Sequence, residues 1–342
     1  MRRWLTPGEG DCPEAQADRI RQGDRRSIAR ALSWVESHRS DERRAAVDLL
    51  SCLYPHTGRA YRVGVTGPPG TGKSTLISQL ARVYRGRDER VGIIAVDPSS
   101  PHSGGAVLGD RIRMRDLAGD PGVFVRSMAT RGAAGGLAGS TSDAVDILDA
   151  AGYDTIFIET VGVGQDEVEI ARVAQTVVVV DAPGLGDDIQ AIKAGLTEIA
   201  DILVVNKADR DGADQTVRSY QMVLESARAS RPAHDDMERE AWQVPVCRTV
   251  AIDGSGIADL ASCIDAHRSY LERSGRLALR ERERVRAELE MLLRRALLAD
   301  FEAGLEPGKL DSLVARIALR EMTTYQALQE LGIVFGRSDR ES

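Results

Sequence analysis

Three short runs of residues carry the groups needed to hold and cleave a nucleoside triphosphate. Gly67-Pro68-Pro69-Gly70-Thr71-Gly72-Lys73-Ser74 has the G-x-x-x-x-G-K-S spacing of a phosphate loop. Glycines there let backbone N–H groups close around phosphate oxygens, Lys73 reaches the β- and γ-phosphates, and the Ser74 hydroxyl ligates Mg²⁺. Far downstream, Asn206-Lys207-Ala208-Asp209 has the N-K-x-D pattern of a guanine reader. The Asp209 carboxylate accepts from the guanine N1 and exocyclic amino group together, and adenine offers no such pair of donors. Between the two lies Glu159-Thr160-Val161-Gly162, which keeps the D-x-x-G spacing of a γ-phosphate switch with Glu in place of Asp. The Glu159 carboxylate holds Mg²⁺ and the Gly162 N–H senses the γ-phosphate. Val163 stands where many such switches carry a water-orienting Gln, so slow intrinsic hydrolysis is expected, with Gln165 two residues further on.

Each run needs a particular scaffold. Val63-Gly64-Val65-Thr66 before the phosphate loop reads as a buried strand, and Thr75-Leu76-Ile77-Ser78-Gln79-Leu80 after it as a helix start. Strands are expected at 62–66, 91–96, 123–126, 154–158, 176–181, 202–206 and 244–249, alternating with helical segments. Continuous runs such as Thr176-Val177-Val178-Val179-Val180 mark strands buried on both faces. The expected class is therefore α/β: a P-loop GTPase domain at 56–265, its mostly parallel sheet flanked by helices. An Arg-rich N-terminal helical extension at 1–55 precedes it, with Ile28, Leu32 and Val35 at helical spacing. The stretch 226–240 reads as a loop or helix end. From about 266 the chain becomes helical and charged, with one apolar stripe of Val285, Leu289, Leu292, Leu293, Ala296 and Leu297. A last helix is expected over 309–332, and the whole region 266–342 as a dimerisation segment.

Composition narrows the partners. The 342 residues carry a formal net charge of −7, which argues against nucleic acid as the main partner. No apolar run is long enough to span a bilayer, and Met1-Arg2-Arg3-Trp4 does not open a secretory signal, so a cytoplasmic protein is expected. Cys12, Cys52, Cys247 and Cys263 are scattered and read as reduced thiols. Of 45 basic residues only Lys73, Lys193, Lys207 and Lys309 are lysines. Where Arg serves almost everywhere, a surviving Lys marks a place that needs a compact ammonium, which singles out Lys193 beside the two nucleotide motifs.

Longer blocks then speak together. They are Val91–Ser100, Ser103–Met114 with Asp110, Arg126–Gly132, Gly135–Ala138, Glu159–Gln165 and Pro183–Gly195. This set resembles the methylmalonyl-CoA mutase-associated GTPases of the MeaB/ArgK type, which are similar to the human cobalamin type A disorder protein. The resemblance covers nearly the whole chain. It implies a homodimer paired through C-terminal helices, serving an adenosylcobalamin-dependent acyl-CoA mutase by gating cofactor loading, protection and reactivation. It also implies an acidic cluster of Asp97, Asp110 and Glu159 around Mg²⁺, joined by Ser74. Lys73, Glu159, Asp97 and Lys193 are thereby expected to serve hydrolysis, with Lys193 on a mobile loop at 182–193. The family's Ser-Ala base-contact element appears here as Val250-Ala251, the contact being made by backbone N–H. Two other readings stand beside this one: a metal-inserting GTPase and an ATP-dependent kinase for a transport binding protein. The first wants soft ligands between Ser74 and Glu159, where His102 is the one candidate. The second conflicts with Asp209.

Overall fold

A computed structural model describes residues 12–37, 39–97, 117, 119–129, 136–160, 166–184, 198–229 and 241–333. Asp110, Gly162, Val163, Gln165, His102 and Lys193 lie outside these, as does the side chain of Asp97.

The described residues open with three helices, α1 (Pro13–Arg21), α2 (Arg25–Val35) and α3 (Ser40–Leu53). Seven strands follow: β1 (Tyr61–Thr66), β2 (Val91–Asp97), β3 (Val123–Ala129), β4 (Thr155–Thr160), β5 (Thr176–Asp181), β6 (Ile202–Asn206) and β7 (Val246–Thr249). Between them run α4 (Lys73–Arg85), α5 (Gly136–Ala150), α6 (Asp166–Val173) and α7 (Ala213–Ala229). After β7 come α8 (Ile257–Arg273), α9 (Arg276–Ala303), α10 (Lys309–Ala318) and α11 (Thr324–Glu330).

The strands form one sheet in the order β3-β2-β4-β1-β5-β6-β7, and every pairing is parallel. All residues of β1, β4, β5 and β6 are buried, as strands covered on both faces must be. Val63, Val65, Val178 and Val180 pack with Leu76, Ile77 and Leu80 of α4 and with Leu260 and Ile264 of α8. On the other face, Val177, Val179 and Val205 pack with Val217 and Tyr220 of α7. The opening helices share a core with the sheet: Ile20, Ile28, Leu32 and Leu53 cluster with Ile94, Ile156 and Leu148 of α5. Arg25 of α2 adds a hydrogen bond to the Val123 carbonyl at 2.8 Å and lies over the Phe124 ring.

The chain divides into two compact units, Met1–Val285 and Arg286–Ser342. Within the first, the start of α9 is tied down by charge. Arg280 makes a forked pair with Asp201 at 2.8 and 3.0 Å, Arg284 donates to Ser142 Oγ at 2.9 Å, and Glu281 pairs with Arg62. Within the second, Lys309 and Arg316 of α10 both bond Glu330 of α11, at 2.7 and 2.9 Å.

The single helix expected over 309–332 is instead two, α10 and α11. Arg320 adopts φ +63°, and Glu321 N–H bonds back to the Arg316 carbonyl at 3.0 Å, closing the first helix. Thr323 then restarts the chain with a capping box on Gln326. No described helix is long and apolar enough to cross a membrane.

Candidate functional site

The site forms at the carboxyl ends of the central strands, where β1 delivers the phosphate loop between β4 and β5. Gly67 has φ +133°, and a Cβ there would fall 2.0 Å from the Val180 carbonyl oxygen, so only glycine lets β1 turn so close to β5. Gly72, at φ +94°, caps α4, and a Cβ on it would sit 2.6 Å from Asn206 Nδ2. Pro68 is half-buried, while Pro69 and Gly70 lie exposed at the loop's tip. Thr71 Oγ1 donates to the Pro68 carbonyl at 3.0 Å, and Thr75 lies in the first turn of α4. Lys73 is buried, and its ammonium donates to the Gly67 and Pro68 carbonyls at 2.7 and 3.0 Å. Its Nζ thus lies beneath the cradle of N–H groups that the loop and the α4 N-terminus present.

Beside the loop, β4 ends in Glu159 and Thr160, the first residues of the expected switch. Ser74 Oγ donates to Glu159 Oε1 at 2.6 Å, and both residues are buried. Thr160 Oγ1 donates to Thr66 Oγ1 at 2.9 Å, tying the ends of β4 and β1 together. Asp97 closes β2 next to Thr160, since Val96 is the register partner of Thr160. A hydroxyl and a carboxylate at the mouth of a phosphate cradle suit a hard cation that takes its remaining ligands from phosphate and water. Mg²⁺ fits this donor set. No group of three or more His, Cys, Asp or Glu able to hold a metal occurs among the described residues.

On the other flank, Asn206 at the end of β6 acts as a hub. Its Nδ2 donates to the Thr71 carbonyl at 2.8 Å, and its Oδ1 accepts from Thr249 Oγ1 at 3.1 Å and from the Ala251 N–H at 3.0 Å. Lys207 follows at φ +58°, and its Nζ donates to the Gly70 carbonyl at 2.6 Å. Ala208 N–H bonds the Thr249 carbonyl at 3.0 Å, which lays the two loops side by side. Asp209, two residues after Lys207, is exposed. The phosphate loop, the N-K-x-D run and the Val250-Ala251 loop are therefore joined by side-chain bonds.

Two groups here had no motif to announce them. Asp181 ends β5 with its carboxylate buried, bonded by the Ala182 N–H and by Tyr220 OH of α7, both at 2.8 Å. Burial, and then the Asp181 charge, push the Tyr220 phenol above its usual range. This pair fixes the root of the segment that enters Pro183. At the opposite, amino-terminal ends of the central strands, Tyr61, Thr176 and His267 form a chain of bonds at 2.5 and 2.7 Å, with Asp201 at 3.3 Å from His267 Nε2. Burial outweighs the Asp201 charge and lowers the His267 pKa to about 4, so this imidazole is neutral near pH 7.

A family model described as "Methylmalonyl Co-A mutase-associated GTPase MeaB" matches residues 28–306. A putative GTPase of Pyrococcus abyssi is 48% identical over 311 residues, spanning 91% of this chain and 93% of the relative. A mouse protein, the mitochondrial methylmalonic aciduria type A homolog, is 32% identical over 314 residues, 87% of this chain and 74% of that one. Among solved structures, the crystal structure of a LAO/AO transport system kinase superposes with a TM-score of 0.71 at 27% identity, covering 94% of this chain and 96% of its own. The chain belongs to the methylmalonyl-CoA mutase-associated GTPase family and is a GTPase.

Proposed function

We propose that this GTPase is a nucleotide-gated chaperone of an adenosylcobalamin-dependent acyl-CoA mutase, governing cofactor loading, protection and reactivation. The observation that carries the reading is the 2.6 Å bond between Ser74 and Glu159. It links the phosphate cradle to the last turn of chain before the switch at 161–165, so whatever occupies the cradle bears on the switch. Lys73 places positive charge where the β- and γ-phosphates lie, and the α4 N-terminus adds its dipole. Ser74 and Glu159, with Asp97 and Asp110, would hold Mg²⁺, which supplies charge neutralisation on the phosphate oxygens. Asp209 reads the guanine edge, with Asn206, Lys207 and Ala251 holding the rim around it. Gly162 senses the γ-phosphate, and Lys193, on the 182–193 loop, completes the site when the mutase holds that loop.

The same reading makes the protein a cytoplasmic homodimer, with no nucleic-acid or membrane partner and with adenosylcobalamin met only through the mutase. Residues 1–55 form its helical extension, 56–265 its nucleotide domain and 266–342 its pairing region. The dimer is supported by the exposure of Leu289, Leu293, Leu297 and Leu298, each more than half exposed. A metal-inserting GTPase or an ATP-dependent transport kinase would need soft ligands or an adenine site, and Asp209 supplies neither.

Co-elution with candidate mutases tests the proposal: methylmalonyl-, ethylmalonyl-, isobutyryl- and 2-hydroxyisobutyryl-CoA mutase, each with GDP and with a non-hydrolysable GTP analogue. One of them is expected to bind in a nucleotide-dependent way and to stimulate hydrolysis. Lys193→Ala is expected to remove most of that stimulation while leaving intrinsic turnover intact. No binding to any of the four in either nucleotide state would overturn it.

A further inference from the structure

Cys247 and Cys263 stand 16 positions apart with no spacing that pairs them, yet the fold sets their sulfurs 3.5 Å from one another. Cys247 lies in β7 and Cys263 in the second turn of α8. Both side chains are half-buried and pack on Val204, Leu260 and Ile264, which are closed to solvent. Neither thiol is sealed inside the core, as an inert structural cysteine would be.

A disulfide holds its sulfurs about 2.0 Å apart, so this pair must close by roughly 1.5 Å. Rotation about the two Cα–Cβ bonds supplies part of that movement, and β7 can follow with the rest. Among the described residues β7 is an edge strand, paired with β6 alone, where Cys247 stands opposite Val204. The chain between the two cysteines is already drawn together. Val250 N–H bonds the Ser255 carbonyl at 3.0 Å, and a Cβ on Gly256 would fall 2.0 Å from the Arg248 carbonyl. The two thiols differ in character. Burial first, and then the neighbouring Cys263 sulfur, push the Cys247 thiol up from its usual range. Cys247 is also the donor of the contact between them. Attack on an oxidant is therefore left to Cys263, with Cys247 placed to resolve the product.

We propose that Cys247 and Cys263 are a modification site, forming a reversible disulfide between β7 and α8 when the protein meets a peroxide. The Cys263 thiolate attacks one peroxide oxygen and breaks the O–O bond, leaving a sulfenic acid and releasing hydroxide, which takes up the proton that Cys263 gave up. The Cys247 sulfur then displaces the hydroxyl from the Cys263 sulfur, and the Cys247 proton leaves with it as water. The thiols are oxidised to one S–S bond and the peroxide is reduced to water. The loop so closed carries Thr249 and Ala251, which hold Asn206 Oδ1 at 3.1 and 3.0 Å, while Asn206 Nδ2 holds the Thr71 carbonyl of the phosphate loop. Oxidation thus stiffens the support of the nucleotide site and slows GDP release.

The full-length protein, treated with hydrogen peroxide, blocked with iodoacetamide and digested without reduction, tests this by mass spectrometry. Trypsin cuts at Arg248, between the two cysteines, so a bond joins separate peptides. Two of the four free thiols are expected to be lost and recovered as the Cys247–Cys263 crosslink, and dithiothreitol is expected to restore them. In Cys247→Ala, Cys263 is expected to stop at the sulfenic acid and be trapped by dimedone. In Cys263→Ala, Cys247 is expected to stay a thiol; a sulfenic acid on it would overturn the order of steps. Parent protein in which both residues remain alkylatable while the exposed Cys12 is oxidised would overturn the site itself. Release of a fluorescent GDP analogue is expected to slow severalfold on oxidation and recover on reduction. An unchanged rate in fully crosslinked protein would overturn the link to the nucleotide site.

Discussion

The rim of the sheet and the helices beyond Arg286 spend their apolar residues in opposite ways. In the first unit Val63, Val65, Phe157, Val178 and Val205 are each at or near zero exposure, and beside them Ser74 bonds Glu159, Thr160 bonds Thr66 and Tyr220 bonds Asp181. In the second, no residue of α9 is buried, and Leu289, Leu292, Leu293, Leu297 and Leu298 are 46–64% exposed. α10 continues the theme with Leu310 and Val314 at 47% and 58%. The first unit is finished as a folded object by its own contacts; the second carries an apolar face that its own contacts leave in water. Exposure of that extent is the mark of a surface meant for another surface. That exposed face is where the proposed second copy would pack.

Substitutions can sharpen or break that contrast. The largest effect is expected from Phe157→Ala in the first unit, where the ring is fully buried and meets Tyr84 edge-on at 5.7 Å. A loss of about 3–5 kcal/mol in unfolding free energy is expected, read by denaturant titration. Lys73→Ala should leave the fold but reduce turnover by about 100- to 1000-fold, or about 2.7–4 kcal/mol, in a phosphate-release assay at saturating GTP. Retained turnover would move the phosphate contact elsewhere.

Acid is the next probe. His267 has an ordinary value of 6.5 and a folded value of about 4. Between those two the unfolded chain binds a proton that the folded chain refuses, so stability is whole above 6.5 and declines as pH falls toward 4. The groups facing His267 are Thr176, Asp201, Trp242 and Tyr270, with Arg280 across the Asp201 carboxylate. The decline is expected to be on the order of 2–3 kcal/mol, and His267→Gln should flatten it in melts taken across that range. An equally steep decline in the variant would assign the acid sensitivity to other groups.

Asp209→Asn should weaken GDP by about 1.5–3 kcal/mol for each charge-assisted bond lost, with ADP affinity unchanged. The smallest effect on folding belongs to the second unit. Leu289→Glu with Leu293→Glu should change unfolding free energy by no more than about 0.5 kcal/mol, yet convert the proposed dimer to monomer in sedimentation. A large folding loss with no change in mass would show that α9 is covered within its own chain.

Much of the first unit was legible because its signals are local. The strand expected at 62–66 is Tyr61–Thr66, that at 176–181 is Thr176–Asp181, and that at 202–206 is Ile202–Asn206. A run of Val and Ile between polar turns can be buried on both faces in few ways, and a parallel sheet is the commonest. The phosphate loop is equally local, since its glycines answer backbone constraints within eight residues. The split between α10 and α11 escaped the pattern because neither Gly nor Pro stands at it, and a single left-handed Arg320 breaks the helix. Asp97, Asp110, Gly162 and Lys193 stay as expectations of position, with Asp97 placed at the end of β2 by its backbone.

What the sequence determined by itself was the list of chemical groups and the segments that carry them: Lys73 and Ser74 at the start of α4, Glu159 near the end of β4, and Asn206, Lys207 and Asp209 at and just past the end of β6. Tertiary structure alone decided which of these touch. Thr71 and Asn206 are 135 positions apart and Ser74 and Glu159 are 85 apart, yet they bond at 2.8 and 2.6 Å. The strand order, with β1 between β4 and β5 rather than beside β2, is what brings them together. Parallel strands need long crossovers, so neighbours in space are distant in sequence, and no local pattern encodes which strand a chain returns to.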